Sequence, residues 1–167
     1  MTKALVRAIG APIRAFEELA SNTQDRLVGA VLALPTGTVL GLAASLTPDP
    51  SGMGTHRQLG LGGCSMLVTT GVPCPMCGMT TTFAHLAHLH LLDALKTQPF
   101  GVVLFTLTAM TFLVGASDLL LPARRWRRAL SWIEPREGWI AGGLMVGLGL
   151  GWAYKVLTAG AILSRIP

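Results

Sequence analysis

Three long apolar runs divide the chain. Residues 27–46 are twenty positions without a charge, and at 1.5 Å per residue that length crosses a bilayer core of about 30 Å. Residues 100–121 form a second run and residues 139–163 a third. Turn chemistry closes the first, with Thr47, Pro48, Asp49 and Pro50 in succession, and Pro122 closes the second. Pro35 falls inside the first run, where a spanning helix accommodates it as a kink. The pattern predicts an all-α membrane protein with three transmembrane helices.

A fourth pattern is amphipathic. Over residues 80–97, Phe83, Leu86, Ala87, His90, Leu91, Ala94 and Leu95 share one helical face, and Thr81, His85, His88 and Leu92 share another. A polar face at membrane depth has to meet protein or a cavity. The segment is therefore expected as a re-entrant or interfacial helix, with a buried spanning helix as the alternative. Residues 1–26 carry a weaker stripe, Leu5, Ile9, Ile13 and Phe16, with Lys3, Arg7 and Arg14 mostly off it. That reads as an amphipathic segment lying on the cytoplasmic membrane face, broken near Pro12, with a frayed basic tail as the alternative. Residues 47–79 make a loop longer than ordinary connections. Its Leu59, Leu61, Met66, Leu67 and Val68 argue that it packs rather than floats.

Composition sharpens this picture at two points. The 167-residue chain is 51% hydrophobic and 13% charged, about half the charge of an ordinary soluble domain. Its net charge of +5 would fit a nucleic-acid partner, but the basic residues sit beside apolar spans, which points to a membrane surface and no nucleic acid. Lys and Arg number four in 1–26, two in 47–98, five in 122–138 and two in 139–167. By the positive-inside rule the N-terminus and the basic loop 122–138 face the cytoplasm, and the 47–79 loop faces outward. Arg124, Arg125, Arg127 and Arg128 are the expected contacts for anionic lipid headgroups. Asp118, near the inner end of the second run, is placed to reach headgroups or to pair with Arg124 or Arg125. Gly143, Gly147 and Gly151 recur every fourth residue in the third run, a face that admits a partner membrane helix in this chain or another. Trp152, Tyr154 and Lys155 read as an interface anchor with a snorkelling amine. No apolar run precedes a small-residue cleavage site, so no cleaved leader is expected.

Chemistry is concentrated in the outward loop. All three cysteines, Cys64, Cys74 and Cys77, lie within it, and His56, His85, His88 and His90 flank them. Cys74 and Cys77 have the C-x-x-C spacing at which two thiolates grip one tetrahedral ion, and Gly78 permits the tight turn that follows. Cys64 supplies a third sulfur. His56 is the candidate fourth ligand, with His85 and His88 as second choice. Thiolate and imidazole suit zinc, copper or iron. Two other readings stay open. Outside the cytoplasm a disulfide persists, and Cys64 paired with Cys74 or Cys77 would staple the loop. A C-x-x-C at a helix start has its thiols acidified, which would serve a membrane thiol–disulfide oxidoreductase using Cys74 and Cys77. His90 falls on the apolar face and reads as packing.

At these residues the chain resembles a bacterial family of small membrane proteins of unknown function. The shared pattern is a Cys, a Thr-Gly turn, C-P-x-C-G-x-T-R, and an amphipathic helix ending in Asn-Pro before a span. Cys64, Thr70, Gly71, the run Cys74 to Thr80, and Pro99 match it; Thr81 stands in place of Arg and Gln98 in place of Asn. The resemblance covers about residues 47–121 and implies a bacterial membrane protein in which the Cys motif matters; in a multi-pass protein of the bacterial inner (cell) membrane, the orientation expected from the basic residues makes the Cys loop periplasmic or extracellular. It implies no activity.

Other catalytic patterns are missing: there is no Gly-rich phosphate loop, no G-x-S-x-G elbow and no H-E-x-x-H pair. Asp49 and Asp93 are the only carboxylates in 47–98, too few and too far apart in sequence for paired-carboxylate hydrolysis. The expected function is non-enzymatic, an accessory or scaffold protein whose outward loop is held by its cysteines.

Overall fold

Where the apolar runs are long enough, the chain folds as helices that satisfy their own backbone, the solution lipid demands. The computed structural model describes the backbone of residues 2–121 and 123–163, and the side chains of residue 19 and of residues 21–121 and 123–158. Among the described residues there is no strand. The helices are α1 (Thr2–Ser45), α2 (Ser65–Thr70), α3 (Met79–Ala87), α4 (Leu91–Thr97), α5 (Pro99–Leu120), α6 (Arg125–Ile133) and α7 (Glu137–Leu163), with 3-10 turns at Thr55–Leu59 and Glu134–Arg136. Three stretches are long and apolar enough to cross a membrane: Ser21–Ser45, Pro99–Leu120 and Arg125–Thr158. Their outer surfaces expose Leu34, Leu107, Met145 and Leu150, as a lipid environment requires.

Two boundaries differ from the expectation. α1 continues through Pro12 and Pro35, so the N-terminal segment and the first span are one helix. The amphipathic stripe of residues 5–16 lies outside the described side chains. The single helix expected over 80–97 is two, α3 and α4, joined through His88, Leu89 and His90. Leu89 adopts a left-handed φ of 63° there, which ends α3.

The core is an antiparallel pairing of α1 with α5. A Cβ on Gly29 would stand 2.7 Å from the Leu119 nitrogen, and one on Gly115 2.8 Å from the Ala33 nitrogen. The two backbones therefore touch, the small-residue packing that substitutes for hydrophobic drive in lipid. Gly37 receives the ring of Phe112 in the same seam. The sequence pattern had placed the close-packing face on α7 instead. There, Gly147 and Gly151 receive Phe100 from the first turn of α5, while nothing lies within 4 Å of a Cβ on Gly143. Two of the three positions expected to seat a partner helix are thus covered by a side chain of this same molecule.

The basic end of α5 is closed by carboxylates. Asp118 is fully buried. Its Oδ1 accepts from the Arg125 main-chain N–H at 3.1 Å and its Oδ2 from that of Trp126 at 2.7 Å, so it caps the first turn of α6. The Arg125 guanidinium lies 3.8 Å from Asp118. Buried Asp25 accepts from the Trp126 indole at 2.9 Å and pairs with Arg127 at 3.5 Å and Arg124 at 3.8 Å. Three of the four arginines expected at headgroups are therefore engaged with the protein's own carboxylates, though their side chains stay 40–60% exposed.

Candidate metal centre in the cysteine loop

At the opposite end of α5 the long loop is tied down residue by residue. The Gln58 side chain exchanges two hydrogen bonds with the Thr47 main chain. Thr55 and Thr81, both buried, share a 2.9 Å hydroxyl bond, and the Asp49 N–H donates to the Thr55 hydroxyl at 2.9 Å. Thr81 is thus spent inside the protein. Three residues of α7 complete the attachment. The Trp152 indole donates to the Pro73 carbonyl at 2.8 Å, and the Tyr154 hydroxyl to the Lys96 carbonyl at 2.9 Å. The Lys155 ammonium donates to the carbonyls of Gly52 at 3.1 Å and Thr97 at 3.2 Å. Lys155 is only 2% exposed, so it does not snorkel. Of the trio expected to meet the membrane interface, Trp152 and Lys155 reach the cysteine loop and Tyr154 reaches α4.

This framework brings the three sulfurs together. Cys64 precedes α2, Cys74 opens the turn closed by the Cys77 N–H on the Cys74 carbonyl at 2.9 Å, and Gly78 begins α3. Gly78 has φ 87°, and a Cβ on it would stand 2.9 Å from the Gly52 carbonyl oxygen and 3.0 Å from the Lys155 ammonium. No residue with a side chain fits both its conformation and its neighbours. α3 consequently starts at Met79 behind a glycine.

The ligand atoms of Cys64, Cys74 and Cys77 all lie within 4.8 Å of one another. The Cys74 and Cys77 sulfurs are 3.5 Å apart and all three thiols are free. Two sulfurs sharing a tetrahedral ion at about 2.3 Å stand about 3.8 Å apart, so the pair is already near the spacing an ion would impose. The electrostatics differ among the three. The Leu67 N–H on the Cys64 sulfur brings that thiol down to about 7, with the Cys74 N–H adding to it. Burial pushes the Cys77 thiol up to about 12, and the neighbouring Cys64 and Cys74 thiols push the same way. The acidified sulfur is thus the one outside the C-x-x-C pair, opposite to a helix-start effect on Cys77. An open cavity of about 470 Å³ lies over the sulfurs, lined also by Met53, Met66, Met76 and His56.

The histidines do not join this cluster. His56 lines the cavity, but its Nε2 is directed at the Gly62 carbonyl, 3.1 Å away. His88 donates from Nδ1 to the Ala84 carbonyl at 2.8 Å. His85 stands with His90 and Asp93, their ligand atoms within 4.8 Å of one another. Burial lowers the pKa of His85, an effect Asp93 partly opposes. His90 and Asp93 were not singled out from the sequence because a continuous helix would hold positions 85 and 90 about 140° apart around its axis. His90 was assigned to an apolar face and is exposed.

Residues 64–112 match the profile of a protein family of unknown function, DUF2752. The match begins at Cys64 and ends within α5, so it contains all three cysteines, His85, His88 and His90. No curated protein and no solved structure matches the chain.

Proposed function

We propose that this multi-pass membrane protein binds one thiophilic metal ion through Cys64, Cys74 and Cys77, and that the ion locks the loop which the chain presents beyond the lipid on the non-cytoplasmic side. The role is that of an accessory or scaffold protein rather than an enzyme. The convergence of three free sulfurs to within 4.8 Å carries the reading. Sulfur ligands surrounded by methionines favour a soft ion, zinc or copper(I). The orientation rests on the basic residues gathered at the α6 end, away from the cysteines. The membrane is, on this reading, a bacterial inner membrane, and Arg128 is the arginine freest to meet its anionic headgroups.

The test is elemental analysis of protein purified in detergent, paired with thiol counting under non-reducing conditions. One equivalent of zinc or copper in the native chain, lost in Cys64→Ser and in Cys77→Ser, is the expected result. A metal-free preparation with one titratable thiol makes the loop a disulfide staple. Reversible oxidation of Cys74 and Cys77 by a quinone, with no metal bound, makes the protein an oxidoreductase. Either outcome overturns the metal reading.

A further inference from the structure

We propose that His85, His90 and Asp93 form a second metal site, separate from the sulfurs, that takes a divalent first-row transition ion such as zinc. It stands whether or not the cysteines hold an ion. Four observations converge on it. The ligand atoms of the three side chains lie within 4.8 Å of one another, and two imidazoles with one carboxylate form a donor set such ions favour. The Nδ1 of His85 is buried and has no hydrogen-bond partner among the described residues, so a nitrogen lone pair or N–H is held out of water without use. Beside it opens a cavity of about 350 Å³ that His85 and Asp93 line together with Asp49, Lys96 and Lys155. Of these neighbours, Lys155 is already occupied by the Gly52 and Thr97 carbonyls, and Asp49 Oδ1 accepts from the Ser51 N–H and hydroxyl.

The fourth observation is the turn that assembles the set. His88 and His90 donate their N–H groups back to the His85 carbonyl, at 3.2 and 2.8 Å, and Leu89 takes a left-handed conformation between them. The left-handed residue belongs to an ordinary helix stop, in which the Leu89 N–H meets the Leu86 carbonyl at 3.0 Å and the His90 N–H the His85 carbonyl. What the turn does is reverse His90 onto His85, while α4 returns Asp93 to the same place.

The experiment uses tag-free, full-length protein in detergent, stripped with chelator and titrated with cobalt(II) as the probe. Cobalt on thiolates shows sulfur-to-metal charge-transfer absorption; cobalt on two histidines and a carboxylate shows only the weak ligand-field bands. The expected result is a cobalt equivalent with ligand-field bands alone. It persists when Cys64, Cys74 and Cys77 are all serine, and it weakens at least about tenfold in His90→Ala and in Asp93→Asn, since even outer-shell changes cost that much. His88→Ala leaves it intact. If the triple serine chain does not fold, the same comparison is read in the native background, where His90→Ala removes the ligand-field equivalent and keeps any charge-transfer band. Absence of a charge-transfer band defeats the cysteine site alone. Absence of the sulfur-free equivalent in the native chain, or its survival in both His90→Ala and Asp93→Asn, overturns the second site.

Discussion

The two ends of α5 solve the same problem in different ways. At the α6 end, two buried carboxylates, Asp25 and Asp118, are surrounded by three arginines, an indole N–H and the N–H groups of a helix start. Charge and hydrogen-bonding capacity are there mostly consumed within the protein, with Asp25 Oδ2 lacking a hydrogen bond among the described residues but facing Arg124 at 3.8 Å. At the loop end the backbone is just as firmly attached, by Lys155, Trp152, Tyr154 and the Thr55–Thr81 pair, yet several side chains are left unspent. Three thiols face each other, and His85 Nδ1 and both polar atoms of the Gln98 amide are buried without partners among the described residues. Buried polar groups are ordinarily satisfied. That difference is what the proposed ligand sites at the loop end rest on.

Four substitutions probe that contrast. The largest effect is expected at the closed end. Asp118→Asn removes the buried charge that accepts from the Arg125 and Trp126 N–H groups and so weakens the α6 cap; stability should fall by about 3 kcal/mol, since a hydrogen bond to a charged group is worth about 1.5–3 kcal/mol. Thermal unfolding in detergent reads this, and metal bound per folded molecule should not change. A parallel loss of metal would erase the division between the two ends. Next comes the seam that joins them. Gly115→Val forces a branched side chain onto the α1 backbone, where even a Cβ stands 2.8 Å from Ala33, at a cost of about 2 kcal/mol. Gly143→Val, with open space around it, should stay within about 0.5 kcal/mol of the native chain. Equal unfolding temperatures for the two variants would return the tight helix contact to α7.

The smallest effect is expected at the open end. Lys155→Met keeps the volume but leaves the Gly52 and Thr97 carbonyls without their donor. Stability should fall by about 1 kcal/mol, with the gain in hydrogen exchange concentrated in residues 49–58. An even rise along the chain would mean that Lys155 does not hold the loop.

The three spans were legible in the amino-acid order because lipid imposes a one-dimensional rule: about twenty apolar residues, uncharged, bounded by turn and basic residues. The cysteine cluster was legible for a similar local reason. C-x-x-C followed by glycine places two sulfurs together through the turn alone, and the loop is short enough to return a third. The glycine contact was misplaced because a repeat such as Gly143, Gly147 and Gly151 shows where a close approach is permitted. Which helix arrives depends on the whole bundle, and the actual contact uses single glycines, Gly29 and Gly115, that make no pattern in either helix.

Sequence alone therefore determined the environment of this protein and the sulfur chemistry of its loop, since both follow from composition over a few neighbouring residues. Tertiary structure decided which polar residues are consumed and which remain. Lys155 reaches the loop from a helix more than seventy residues away in sequence, and His85 meets His90 only because one leucine leaves helical geometry. Convergence of that kind depends on chain direction after a turn and on contacts between distant segments, and no periodicity encodes either.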